Sequence, residues 1–125
     1  MNVKIKKLYS GPVVDLYELI INEKCQVREY ISNLEERNKK KVSVLLKHIA
    51  KNSPPINIEK FRHIRDNIWE LKSGSVRVLS FFQDPTLPKS LILTHGFPKS
   101  KKKKFQDEVK KAIKYRKEYF RIVDK

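Results

Sequence analysis

A run of lysines near the end of the chain is the first feature that could bind a ligand. Lys99 is followed by four consecutive lysines at positions 101–104. Five ammonium groups within six positions repel one another, and phosphate groups would relieve that repulsion while releasing counterions. The run therefore predicts contacts to a phosphate-rich strand, made interchangeably by Lys99, Lys101, Lys102, Lys103 and Lys104. A solvated basic segment and a site for an anionic membrane surface are the alternatives.

Three side chains earlier in the chain could act on a bound phosphate. Arg77 carries a planar guanidinium group that can hold a phosphate through two hydrogen bonds, although an ion pair with Glu70 is the alternative. Lys72 could orient the same phosphate or be an ordinary turn lysine. His95 could accept and donate a proton, because the ordinary pKa of histidine is about 6.5. A histidine that only bonds a backbone carbonyl is the alternative for that position.

The charge of the whole chain agrees with an anionic partner. The 125 residues hold 29 Lys+Arg and 14 Asp+Glu, a net charge of +15, and self-repulsion of that size destabilises a compact domain. Positions 99–125 hold 12 basic and 4 acidic residues, which is more than half of the excess. The lone Cys25 excludes an internal disulfide framework and a multi-cysteine zinc site. We expect a cytoplasmic protein without a membrane span, a secretory leader or a cofactor.

The first half of the sequence predicts two strands followed by two helices. Residues 3–9 and 13–21 are both predicted to be strands, the second from the mixed alternation of a half-buried strand, and a Ser-Gly-Pro turn separates them. Apolar residues recur at helical spacing over residues 26–34 and 36–51. Two prolines should stop the second helix at residues 52–55. These two helices are predicted to form a hairpin that lies on a sheet.

The second half predicts an antiparallel meander and a final helix. Its four β segments are residues 61–65, 67–71, 76–82 and 90–95. Gly96, Phe97 and Pro98 should break the last strand. The helix is expected over residues 103–120, with Asp107 and Glu108 in its first turn. One face of that helix is predicted to hold Phe105, Val109, Ala112, Ile113, Arg116 and Phe120.

Together these elements predict one α+β domain over residues 1–125. We expect a curved antiparallel sheet with an N-terminal helical hairpin, a C-terminal helix and all helices on one face. Residues 1–12 would be an N-terminal extension that could add a strand. The apolar runs at residues 76–82 and 91–93 suggest that the sheet is buried on both sides.

Several blocks in this order resemble the RelE/ParE toxin superfamily, and more narrowly its HigB-like branch with phage-derived relatives. The resemblance covers residues 13–120. The blocks that carry it are Ile68-Trp69-Glu70-Leu71-Lys72, Val76-Arg77-Val78-Leu79 and His95-Gly96-Phe97-Pro98-Lys99, followed by the last helix.

The resemblance implies the toxin of a type II toxin–antitoxin pair. Such toxins cut mRNA in the ribosomal A site, contact rRNA there, and are neutralised by an antitoxin that usually carries a helix-turn-helix. ParE relatives share the fold but act on DNA gyrase, so a gyrase-targeting toxin is an alternative. A basic RNA-binding module without catalysis is another.

RNA cleavage without a metal needs a base, an acid and fixed cations around the phosphate. Under this hypothesis His95 moves protons, while Arg77 and Lys72 contact the reacting phosphate. The lysines at positions 99 and 101–104 hold flanking RNA. Phe97 and Trp69 could stack on bases, although packing in the core is their alternative. The hypothesis requires that Arg77, His95 and the lysine run converge.

Overall fold

A computed structural model describes residues 1–52 and 59–123 of the chain. Its elements in chain order are β1 (Val3–Tyr9), β2 (Asp15–Ile21), α1 (Gln26–Ser32), α2 (Glu36–Lys51), β3 (Phe61–Arg65), β4 (Ile68–Ser73), β5 (Val76–Phe82), β6 (Ser90–Pro98) and α3 (Lys102–Val123). Each predicted strand and helix is present within a few residues of its expected bounds. Residues 53–55 of the predicted helix stop lie outside the described residues.

The sheet has six strands in the order β1-β2-β6-β5-β4-β3. Strands β3 to β6 form the predicted antiparallel meander, but β2 and β6 are parallel, with Leu16 beside Leu91. The prediction of a wholly antiparallel sheet is therefore wrong. Because the chain passes through two helices and three strands after β2, it can return to the side of β2 in the same direction. The sheet is mixed and open.

Helices cover both faces of this sheet. One core cluster joins α1 and α2 to the sheet through Val27, Leu45, Ile49, Val78 and Leu91. A second cluster joins α3 to the other face through Leu79, Ile92, Val109 and Ala112. Burial on both sides is confirmed, whereas the placement of all helices on one face is wrong. The N-terminal helical hairpin is also wrong, since the chain begins with two strands and α1 and α2 follow them.

Strand β6 continues past the predicted break and ends at Pro98. The glycine at position 96 accommodates α1, because a Cβ placed on Gly96 would lie 2.1 Å from Cδ2 of Tyr30. Glycine is thus required here for packing rather than for a turn. Gly96 and Phe97 pair with Val78 and Arg77 of β5 as ordinary strand residues.

Replacing Gly96 with alanine is therefore expected to destabilise the fold by about 1–3 kcal/mol through overpacking. The Gly96→Ala change should cost less in a Tyr30→Ala background, because the ring that meets the new methyl group is gone. Urea unfolding of the two single variants and the double variant measures this coupling. An equal cost in both backgrounds would contradict the packing explanation.

Helix α3 starts at Lys102, so Asp107 and Glu108 lie beyond its first turn, which holds no acidic residue. That part of the prediction is wrong. The buried face of α3 also includes Tyr115 and Tyr119, whose hydroxyl groups accept hydrogen bonds from Gln26 and Gln83 at 2.8 and 3.2 Å respectively. No helix in the described residues is both long and apolar enough to cross a bilayer.

Candidate nucleic-acid interface

Two arginines hold one buried carboxylate on the α3 side of the sheet. Glu70 is 1% exposed, and its Oε1 lies 2.8 Å from Nε of Arg62 while its Oε2 lies 3.6 Å from Nε of Arg77. Alternation along β4 and β5 places these side chains together, because Trp69, Leu71, Val76 and Val78 point to the opposite face. The predicted ion pair of Arg77 with Glu70 is present.

The β4–β5 turn fixes the guanidinium group of Arg77. Its Nη1 donates hydrogen bonds to the carbonyl oxygens of Gly74 at 2.6 Å and Val76 at 3.0 Å. The side chain of Arg77 is 11% exposed, whereas that of Arg62 is 46% exposed. A phosphate approaching this pair would meet Arg62 first and reach only an edge of Arg77.

The same turn brings most of the predicted cations to one end of the sheet. Lys72 lies directly opposite Arg77 in the β4–β5 register. The backbone N–H of Lys99 donates to the Ser75 carbonyl at 2.7 Å, and the exposed lysines at positions 101–104 follow immediately at the start of α3. Because these lysines oppose the helix dipole, each costs about 0.3–1 kcal/mol at low salt unless an anion is near. We call this group of side chains, including Arg62 and Arg77, the basic end.

A groove of about 620 Å³ opens beside the basic end on the α2 side of the sheet. Lys40, Lys41, His48 and Lys60 line it, and Ser73 and Gly74 of the β4–β5 turn form part of its wall. One feature of the sequence could have predicted this groove. His48 follows Lys41 and Lys40 by seven and eight positions, so the three side chains lie on the same side of α2. Sequence reasoning missed this groove and also missed Arg62, whose contact with Glu70 depends on strand register.

His95 lies on the same face as Arg77 but beneath α3. Its side chain is 3% exposed, and the ring packs edge-on against Tyr115 at 5.9 Å between ring centres. Nδ1 lies 3.1 Å from Oγ1 of Thr94, which itself donates to the Leu79 carbonyl. The other ring nitrogen, Nε2, faces α3.

Burial, with a smaller contribution from Lys111, lowers the pKa of His95 to about 3. The imidazole is therefore neutral near neutral pH, and the 3.3 Å approach of Nε2 to Oε1 of Glu108 is not an ion pair there. Nε2 has no hydrogen-bond partner within residues 1–52 and 59–123. His95 can reach an RNA strand only if α3 moves away from the sheet, and its role in proton transfer stays a prediction.

The two predicted base-stacking residues both pack in the protein. Phe97 is 3% exposed and lies against His95 and Phe105 at 5.7 and 6.1 Å between ring centres. Trp69 is half-buried on the opposite face and stacks on Phe61 at 4.8 Å. Neither ring presents an open face at the basic end, so stacking on bases stays a prediction.

A second buried carboxylate, Glu18, takes part in a separate group under α1. Arg28 donates to both of its oxygens, and the thiol of Cys25 donates to Oε2 at 3.1 Å. Burial and the neighbouring Glu18 raise the pKa of Cys25 to about 11. The thiol is thus protonated and poorly nucleophilic near neutral pH. Among the residues that the structure describes, no group of three or more His, Cys, Asp and Glu could hold a metal ion.

Comparison with known proteins adds one match. The family model described as "Phage derived protein Gp49-like (DUF891)" matches residues 29–118, from α1 to the last turns of α3, while β1 and β2 precede the match. No curated protein matches the chain. The matched range contains the β4–β5 turn, Arg62, His95 and the lysine run. Since it spans 90 of the 125 residues, the chain belongs to the Gp49-like family of phage-derived proteins, a toxin-like family.

Proposed function

We propose that this protein is the toxin of a type II toxin–antitoxin pair and that it cleaves mRNA on the ribosome. The observation that carries the proposal is the basic end, where Arg62, Lys72 and Arg77 lie beside Lys99 and the start of α3. Membership of a toxin-like phage family supports the same conclusion. The partners under this proposal are mRNA and rRNA at the ribosomal A site and an antitoxin with a helix-turn-helix.

The proposed reaction is an attack by the 2′-hydroxyl of the RNA on its own neighbouring phosphate. A new bond forms between O2′ and phosphorus, and the bond from phosphorus to the 5′ oxygen of the next nucleotide breaks. The proton of the 2′-hydroxyl passes to a base, and the leaving 5′ oxygen takes up a proton. Arg77 and Lys72 stabilise the extra negative charge on the phosphate oxygens. Arg62 adds a third positive charge at the edge of the cluster.

For His95 the proposal includes a conformational step. The ring is covered by α3, and burial holds its pKa far below the ordinary range. If the first turns of α3 lift from the sheet, water and RNA reach the ring and the pKa returns toward about 6.5, where histidine can both take and give a proton. Movement of α3 would therefore expose the ring and restore its basicity in one event.

Expression of the protein alone in a bacterial host tests the proposal. We expect growth arrest, loss of protein synthesis and mRNA fragments whose ends map to translated codons. Co-expression of the cognate antitoxin should restore growth. Induction of the DNA-damage response without mRNA fragments would instead indicate a gyrase-targeting toxin. Unimpaired growth with salt-sensitive RNA binding would indicate a binding module without catalysis.

A further inference from the structure

A second cationic groove lies at the other end of the sheet from the basic end. It has a volume of about 370 Å³ and runs between the β3–β4 turn and the outer side of α3. Arg65 and Asp66 form one wall, while Lys110, Ile113, Arg116 and Lys117 form the other. The turn is tightly fixed, because Asp66 and Asn67 both adopt positive φ angles of 49° and 63° as in the turns that suit hairpins.

The charges in this groove are mostly uncompensated. Four cationic side chains face one carboxylate, and Arg65 already holds that carboxylate, with Nη1 2.8 Å from Oδ2 of Asp66. Lys110, Arg116 and Lys117 have no carboxylate partner within the described part of the chain. The Nε atom of Arg116 is buried and also lacks a hydrogen-bond acceptor there, while its guanidinium group lies 4.9 Å above the ring of Phe120. The cationic side chains of the groove are therefore available to bind an anionic ligand.

A row of exposed lysines runs along α3 next to the groove. Lys110, Lys114 and Lys117 are all exposed and follow one another at intervals of four and three residues, so they form one stripe along the helix. Seven residues of helix rise about 10 Å, which equals about three nucleotides of a duplex strand at 3.4 Å each. A row of phosphates matches this stripe better than a single small anion does.

The groove is distinct from the basic end. The two lie at opposite ends of β4, which runs from Ile68 beside the β3–β4 turn to Ser73 beside the β4–β5 turn. At about 3.3 Å per residue this strand separates them by roughly 16 Å. A nucleic acid could therefore contact both places while each keeps its own set of side chains.

We propose that the groove of Arg65, Lys110, Arg116 and Lys117 is a second nucleic-acid site that binds the phosphodiester backbone. The proposal deepens the proposed function, on which it rests for the nature of the ligand. It assigns the basic end to the strand that reacts and this groove to a backbone that only anchors the protein.

The test compares two double variants with equal loss of charge. Lys110→Gln/Lys117→Gln removes two exposed lysines of the groove, and Lys6→Gln/Lys47→Gln removes two exposed lysines elsewhere. Binding to a 12-base-pair RNA duplex and to a DNA duplex of the same sequence is followed by fluorescence anisotropy across a salt series. Two lost phosphate contacts should reduce the slope of log K against log salt by about 1.8 in the groove variant, since each contact contributes about 0.9.

The expected result is a shallower salt slope for the groove variant and an unchanged slope for the control. A shallower slope with both duplexes indicates that the groove contacts phosphates. A shallower slope with the RNA duplex alone indicates that it also contacts the 2′-hydroxyl groups, and either result supports the site. Equal slopes for the two variants would overturn it. Cleavage of mRNA on ribosomes is measured in parallel with the wild-type protein. If the groove variant has a shallower salt slope but the wild-type protein cleaves no mRNA, the second site stands and only the proposed function is refuted.

Discussion

Replacing Arg77 with alanine is expected to slow mRNA cleavage on ribosomes by about 100- to 1,000-fold, the usual effect of removing one fixed donor to a developing negative charge. The guanidinium group is held by Glu70 and by the carbonyls of Gly74 and Val76, so it is positioned before RNA arrives. Arg77→Lys should recover only part of the rate, because an ammonium group keeps the charge but loses the planar fork. Primer extension on a translated mRNA measures the rates.

The design must separate loss of chemistry from loss of folding. Arg77→Ala leaves the buried Glu70 with Arg62 as its partner, and breaking a buried pair can cost about 3–5 kcal/mol. The double variant Arg77→Ala/Glu70→Gln removes the stranded charge as well. We expect it to unfold near the wild-type urea midpoint and to remain inactive. A folded double variant that cleaves mRNA at the wild-type rate would eliminate Arg77 from the reaction.

The stability of the protein should fall steeply in acid because of His95. Its folded pKa of about 3 lies below the ordinary value near 6.5, so below pH 6.5 the unfolded chain binds a proton that the folded chain refuses. The contribution of the neutral imidazole of His95 to the free energy of unfolding is fully present above about pH 6.5. It is lost by up to about 1.4 kcal/mol per pH unit as the pH falls toward 3. Urea unfolding at half-unit pH steps measures the free energy.

A variant that lacks only His95 supplies the comparison for this prediction. His95→Gln removes the titrating group, so its free energy of unfolding should vary less with pH than that of the wild type between pH 6.5 and 4. His63→Gln is the matched control, because His63 is exposed on β3. It should retain the wild-type dependence. Parallel curves for the wild type and His95→Gln would show that the buried imidazole does not govern acid sensitivity.

Local patterns predicted the elements because they depend on neighbours in the chain. The spacing of Val42, Leu45, Leu46 and Ile49 is enough to place α2, and a short run of β-branched and aromatic residues is enough to place β5. The parallel contact of β2 with β6 joins Leu16 to Leu91, and no local pattern encodes such a partner. The side of the sheet on which α3 packs is equally non-local.

The same difference between local and non-local contacts explains why only part of the candidate site was predicted. The proximity of Lys72 to Arg77 follows from a tight hairpin turn, which the Ser-Gly-Ser sequence signals. The burial of His95 could not be predicted, because it depends on which face of the sheet α3 packs against, and no local pattern encodes that choice. Arg62 was missed because its contact with Glu70 exists only in one strand register.

The pairing of β2 with β6 affects when the sheet can form during synthesis of the chain. The partners Leu16 and Leu91 are 75 residues apart, so the β1–β2 hairpin has no sheet to join until the sixth strand has been translated. At about 5–20 residues per second this wait lasts roughly 4–15 s. During that time the nascent hairpin exposes an edge and its apolar side chains to chaperones. Folding of this chain should thus be late and slow for its size.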